Sequence, residues 1–347
     1  MPCRKLAVNG LNIHIEEQGE GPVVLFAHGF PETSYAWRHQ VAALAAAGFH
    51  AVAPDMRGYG ETDSPAEVTR YSTFDLVGDL VGLLDALSCE NAIIVGNDWG
   101  STVAWQATLL RPDRFKGVVA IGVPMMDAPP APPTTFFPQT DDELFYTLYF
   151  QEPGVAEAEL DRNVDATLRK ILFSASREAG PRREGDGTPN PFNMVSRNTG
   201  LLPTLPTPDV LPRWLSEADL AQYVNSFRRT GFRGALNYYR NLDANWHLQR
   251  SLSGLKIEVP AFYMVGEQDV GLSMPGMRQI IDAMPDLVPN LKQSLTIPDC
   301  GHWAPQEKPH EVSEAIIAFF AIRVFPLVAH RRWDAAARVM SSFRQAR

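Results

Sequence analysis

The sequence of 347 residues predicts an α/β protein with a mostly parallel central sheet, helices on both faces and an inserted helical segment. Three observations lead there. Short apolar segments alternate with helical periodicity up to about residue 125, a proline-rich stretch then breaks the alternation, and strand character returns near residue 260.

Each element has its own reason. Residues 6–8 and 11–17 read as a hairpin, because Asn9-Gly10 accepts the positive φ values of a two-residue turn. Segments 23–27, 50–53, 92–95 and 117–121 are short, continuously apolar and rich in β-branched or aromatic residues, as strands buried on both faces must be. Between them, 37–47, 73–87 and 101–110 carry helical spacing. The run Asp127-Ala-Pro-Pro-Ala-Pro-Pro-Thr-Thr-Phe-Phe-Pro138 cannot continue a sheet, since proline lacks the N–H that a ladder needs. Onward to residue 249 the chain reads mostly helical, with an irregular Pro/Gly-rich stretch at 180–208. Strands resume at 260–265 and 294–297, each followed by helical spacing. The apolar stretch 315–329 reads as the last core helix; Arg323 and Pro326 keep it short of the ~18 apolar residues of a membrane span. The expected division is an α/β core at 1–127, a helical cap insertion at 128–250, core again at 251–325, and a tail at 326–347. That tail, with Arg331, Arg332, Arg338, Arg344 and Arg347, reads as a docked terminal helix or a homodimer contact in preference to a membrane-surface helix.

Composition narrows the function. With 31 Lys and Arg against 40 Asp and Glu, the net charge of −9 argues against nucleic-acid or anionic-membrane binding, which depends on cationic side chains. Cys3, Cys89 and Cys300 are odd in number and unrelated in spacing, so a reducing compartment fits. No apolar leader follows Met1, and the expectation is a cytoplasmic protein without stable membrane insertion.

The strongest local signal is Val95-Gly96-Asn97-Asp98-Trp99-Gly100-Ser101, between an apolar strand and a helical pattern. It has the form of a nucleophile elbow, in which small flanking residues let a strained turn lift the central side chain above the sheet. The central residue is aspartate. Upstream, Ala27-His28-Gly29-Phe30-Pro31 follows another strand, where the loop supplying one oxyanion-hole N–H from Phe30 belongs; Trp99 supplies the second. Downstream, Asp269 ends one late strand and His302 follows the next, completing the order nucleophile, acid, His. Singly, each has a bland alternative as a turn or cap residue; three such strand-end positions in this order favour catalysis.

These motifs resemble the epoxide hydrolases of the α/β-hydrolase superfamily, and the chain is especially similar to the hydrolase domain of the mammalian soluble enzymes. The resemblance runs from about residue 6 to 320. It rests on His28-Gly-Phe-Pro-Glu-Thr-Ser-Tyr-Ala-Trp-Arg38, Asp55-Met-Arg-Gly-Tyr-Gly60, Asp98-Trp-Gly100, Leu148-Tyr-Phe-Gln-Glu-Pro-Gly154, Gly231-Phe-Arg-Gly234 with Tyr239-Arg-Asn241, and Asp299-Cys-Gly-His-Trp303. Asn97 and Ser101 depart from the usual His and Gly. The resemblance implies Asp98 as nucleophile, His302 oriented by Asp269 as the base that activates water, and two cap tyrosines, Tyr146 and Tyr239, as proton donors. Tyr149 and Tyr238 stand beside these as competitors. Position beside the catalytic groups further implies a pocket lined by Phe30, Trp99, Phe150, Leu242, Leu272 and Trp303, suited to an apolar epoxide. His28, Asp55 and Arg57 read as structural, and Pro31 as a candidate for a cis bond.

A carboxylate suits this chemistry because displacement at an sp³ carbon leaves an ester that water can cleave, where serine would leave an ether. At a reference pKa of about 3.9 it needs no deprotonation before attack. The scheme uses no metal or organic cofactor, and H-E-x-x-H, P-loop and dinucleotide fingerprints are missing from the sequence. The enzymatic alternative is a haloalkane dehalogenase with the same aspartate; a halide site, often with an Asn after His-Gly, is what it requires, and Phe30 stands there. The alternative of another class is a non-catalytic receptor on the same fold.

Overall fold

Asn9 and Gly10 both take positive φ, 51° and 79°, and close the hairpin of β1 (Cys3–Val8) and β2 (Leu11–Gln18). The computed structural model describes residues 2–180, 190–274 and 276–324. After the hairpin come β3 (Val23–Ala27), β4 (His50–Pro54), β5 (Ala92–Asn97) and β6 (Phe115–Ile121), with helices Arg38–Ala46, Thr73–Ala86 and Trp99–Leu110 between them. A short 3₁₀ turn, Ser34–Trp37, precedes the first of those helices and takes up residue 37 of the helix expected from the sequence. Ser72 caps the second, accepting the Asp75 N–H.

The segment between β6 and the next core strand leaves the sheet. It holds helices Tyr146–Tyr149, Val155–Leu160, Val164–Ala175, Glu217–Thr230, Arg233–Arg240 and Leu242–Gln249. It also contains a small antiparallel pair not foreseen from the sequence, β7 (Glu143–Phe145) with β8 (Met194–Ser196). At three residues each, these strands are too short to show alternation. The sheet resumes with β9 (Ala261–Gly266) and β10 (Leu291–Ile297). The last core helix is Pro309–Phe319, beginning six residues before the apolar stretch expected to form it and followed by a π turn. The arginine-rich tail lies outside the described residues. No helix among the described residues is long and apolar enough to cross a membrane.

Strand order in the main sheet is β1-β2-β4-β3-β5-β6-β9-β10, parallel from β4 to β10. Both faces are covered, so successive residues feed opposite cores. Val23, Leu25 and Ala27 of β3 join one cluster while Val24 and Phe26 join the other, and Tyr263 and Phe262 of β9 divide the same way. From β3 the chain crosses to β4 on one side, and from β5 to β6 on the other. A crevice at the carboxyl ends of β3 and β5 follows from that reversal. The helical segment is held over this crevice by polar contacts: Trp303 Nε1 donates to Leu172 O (2.8 Å), Tyr35 Oη to Asp219 Oδ1 (2.7 Å) and Tyr238 Oη to Arg57 O (3.0 Å).

Candidate active site

Asp98 follows β5 and stands at φ 54°, ψ −122°, a conformation costing an L-residue on the order of 1–3 kcal/mol. Its neighbours make the turn possible. A Cβ on Gly96 would sit 2.2 Å from Gly100 O, and one on Gly100 would sit 1.9 Å from Ala27 O, so only glycine allows β5, the helix and the β3 loop to meet this closely. Ser101, one of the departures, fits within the turn: its hydroxyl lies 2.8 Å from Gly96 O and 2.7 Å from Ile121 O and accepts the Ile121 N–H. It links the start of the helix to β5 and β6, a side-chain tie that glycine lacks.

From the end of β3, Phe30 N–H donates to Asp98 Oδ1 at 2.8 Å. The Phe30–Pro31 bond is cis. His28 is buried; its Nε2 accepts the Met56 N–H at 2.9 Å, which leaves Nδ1–H to face Gly29 O, also at 2.9 Å. Asp55 likewise serves the scaffold, accepting from the N–H groups of Ser34 and Glu61 and pairing with His14. Arg57 makes a buried two-pronged pair with Asp79 at 2.6 and 2.7 Å.

The other members come from the late strands. Asp269, after β9, is buried, and both its oxygens lie 3.0 Å from His302 Nδ1. That contact puts the Nδ1 proton toward Asp269 and directs Nε2 at Asp98, whose Oδ2 is 3.5 Å away. Burial alone pushes the imidazole down. The charge and hydrogen bond of Asp269, followed by those of Asp98, outweigh it and hold His302 well above its usual value.

Above these groups lies a cavity of about 800 Å³. Asp98, Asp269 and His302 open into it from the core, Tyr146 and Tyr239 from the helical segment. The tyrosine rings meet edge to face at 6.0 Å, and Tyr239 also packs against Trp99 at 5.1 Å and Phe30 at 5.6 Å. Burial pushes the Tyr146 hydroxyl up to about 12 and Tyr239 well above its ordinary value, so both rest protonated. Their competitors are engaged elsewhere: Tyr149 Oη donates to Glu159 (2.8 Å) and Tyr238 Oη to Arg57 O (3.0 Å). Phe30, Trp99, Phe150, Leu242 and Trp303 line the cavity as expected from position. Leu272 does not. The 3₁₀ turn Val270–Ser273 aims consecutive residues about 120° apart, presenting Val270 and Gly271 to the cavity while Leu272 packs against the core.

One buried carboxylate escaped the sequence reading. Glu32, two residues past Phe30, accepts from Gln306 Nε2 (2.8 Å) and Asn97 Nδ2 (3.3 Å) behind His302. Its burial lifts it to about 7. Nothing local marks it, because its partners lie 65 and 274 residues away. Among the described residues no cluster of three or more His, Cys, Asp or Glu is arranged to hold a metal ion.

An elbow aspartate, a His–acid pair and a backbone N–H on one carboxylate, at the switch point of a mostly parallel sheet, define a hydrolase of the α/β class. A family model described as alpha/beta hydrolase fold matches residues 22–309, and the chain belongs to that family, within its epoxide hydrolases. It is 40% identical over 319 residues to epoxide hydrolase A of Mycobacterium tuberculosis, covering 91% of this chain and 96% of that protein. It is 38% identical to bifunctional epoxide hydrolase 2 of Sus scrofa, over 89% of this chain and 53% of the longer relative. Among solved structures, an epoxide hydrolase from an endophytic Streptomyces superposes with a TM-score of 0.85 at 39% identity, covering 92% of this chain and 95% of that one.

Proposed function

We propose that this enzyme converts an epoxide and water to a vicinal diol through an ester on Asp98. The observation that carries the reading is the opposition across one cavity of Asp98 below and two protonated tyrosines, Tyr146 and Tyr239, above. Asp98 attacks a ring carbon, the carbon–oxygen bond on the far side breaks, and the departing alkoxide takes a proton from a tyrosine. His302, held by Asp269, then removes a proton from water, and the hydroxide adds to the ester carbonyl. The N–H groups of Phe30 and Trp99 receive the oxyanion; Trp99, as the first residue of its helix, has no intrahelical acceptor. Collapse releases the second diol oxygen, which takes the His302 proton, and re-ionisation of Asp98 returns a proton to the tyrosinate. In this reading residues 128–250 act as the cap that closes an apolar substrate against the core.

The test is a single turnover with excess enzyme and a small aromatic epoxide in ¹⁸O water, followed by peptide mass spectrometry. Label in the Asp98 peptide alongside diol is the expected result. Diol with no label there means direct attack by water and ends the two-step scheme. Halide release from a haloalkane, with no diol from any epoxide, moves the assignment to a dehalogenase.

A further inference from the structure

His302 stands five residues beyond the end of β10, in a loop that no strand ladder holds. Three successive N–H groups of that loop are nevertheless all taken. His302 donates to Ala175 O at 3.0 Å, at the end of helix Val164–Ala175 of the helical segment. The residues on either side of it share one carboxylate: Gly301 N–H donates to Glu307 Oε2 at 2.9 Å and Trp303 N–H to Glu307 Oε1 at 3.0 Å. Glu307 Oε2 also accepts the Arg177 N–H at 3.1 Å, just past the end of that helix.

The fit leaves no slack. A Cβ on Gly301 would sit 2.5 Å from Arg177 N and 2.8 Å from both Ala175 O and Glu307 Oε1, so only glycine lets the loop pass this close beneath the helix end. A carboxylate is the group that answers three converging N–H donors, since both its oxygens accept and neither donates. Glutamine would keep one accepting oxygen and turn an NH₂ toward an N–H, and aspartate would stop about 1.5 Å short. Burial lifts the Glu307 carboxyl to about 7, against the pull of the three amides.

On the two-step reading above, we propose that Glu307 is a positioning residue for His302: by gripping the amides on both sides of the base it sets Nε2 for attack on the Asp98 ester. Its role then falls in the second step alone. Ester formation is carried by Asp98 and by tyrosines of the helical segment, none of which lies on this loop. Ester hydrolysis requires Nε2 to meet a water poised at the carbonyl carbon, and a misplacement of about 1 Å there costs up to about 10²-fold.

The experiment follows the Asp98 ester in time, by quenching and peptide mass spectrometry, with wild type, Glu307→Gln and Glu307→Asp each in saturating excess over a small aromatic epoxide. A pH of about 8.5 keeps the carboxylate of wild type charged. The rise of the ester reads alkylation and its decay reads hydrolysis. In both variants the rise stays within about threefold of wild type and the decay slows about 10- to 10²-fold, so the ester accumulates. A decay unchanged in both variants overturns the positioning role. Rise and decay slowed or lost together overturn it as well, because Glu307 would then serve the fold as a whole. Diol from wild type without any Asp98 ester is a separate failure: it overturns the two-step reading and the positioning role with it.

Discussion

Replacing Asp98 with Asn should release His302 from its raised pKa, and the size of the effect follows from the geometry. Asp98 Oδ2 stands 3.5 Å from His302 Nε2. At an effective dielectric of about 20, opposite charges at that separation attract by about 5 kcal/mol, which is the upper bound of what the variant removes. Asp269 remains in the variant and keeps its larger share of the upward push, so the expectation is a fall that leaves His302 still above its usual value. The assay is an NMR titration of the imidazole in wild type and Asp98→Asn, with His302→Gln identifying the resonance among the eight histidines. A change smaller than about half a unit refutes the reasoning, because the Asp98 charge would then not be felt at the ring. The consequence for the proposed reaction is direct. Forming the ester erases the same charge that the variant erases, so alkylation lowers the proton affinity of the imidazole, and release of its proton to solvent leaves the base that the proposed water attack needs.

Other outcomes follow from named contacts. Tyr146→Phe and Tyr239→Phe should each lower kcat/KM for an epoxide, and the double variant by about 10² to 10⁴, measured by steady-state diol formation; a double variant within tenfold of wild type removes the tyrosines from the mechanism. His14 is raised from 6.5 to about 9: burial pulls it down, and the hydrogen bond and charge of Asp55 overcome this. That gap amounts to about 3 kcal/mol of stability, fully present below the unfolded pKa and lost as pH rises through the folded one. His14→Gln should therefore cost about 3 kcal/mol in urea denaturation near pH 6 and little near pH 10, and a cost independent of pH contradicts the pairing. Arg57→Met leaves Asp79 buried without its cation and should cost about 3–5 kcal/mol, most of it recovered in the Arg57→Met, Asp79→Leu double variant; a single-variant cost under about 1 kcal/mol counts against the pair.

The α/β core was legible because its strands are buried on both faces and its helices on one, and each condition leaves a period in the sequence. Every main-sheet strand read from the chain is present, displaced at its ends by a few residues. What escaped were features defined by distant partners or by less than one period. The pair β7–β8 has three residues per strand, Leu272 faces the core because of a single 3₁₀ turn, and Glu32 gains its setting from Gln306 at the other end of the chain. Asp98, Asp269 and His302 stood out because strand ends in a parallel sheet converge on one edge. Tyr146 and Tyr239 lie on helices where any tyrosine passes for packing, so only the family resemblance separated them from Tyr149 and Tyr238. The structure makes that separation physical, since the hydroxyls of the latter two are bonded to Glu159 and Arg57.

The division of the chain into sheet and helical segment has a chemical logic under the proposed reaction. Displacement at a ring carbon needs the nucleophile on one side and the proton for the departing oxygen on the other, so no single loop can supply both. Asp98 is held from below by a strained turn that Gly96 and Gly100 alone permit. Tyr146 and Tyr239 come from above, on helices roughly ninety residues apart in sequence; their rings meet each other, and Tyr239 meets the core at Trp99 and Phe30. These two aromatics also carry the backbone N–H groups assigned to the oxyanion. In the proposed reaction the same pair of residues thus packs against the helical segment through its rings and receives the oxyanion through its N–H groups.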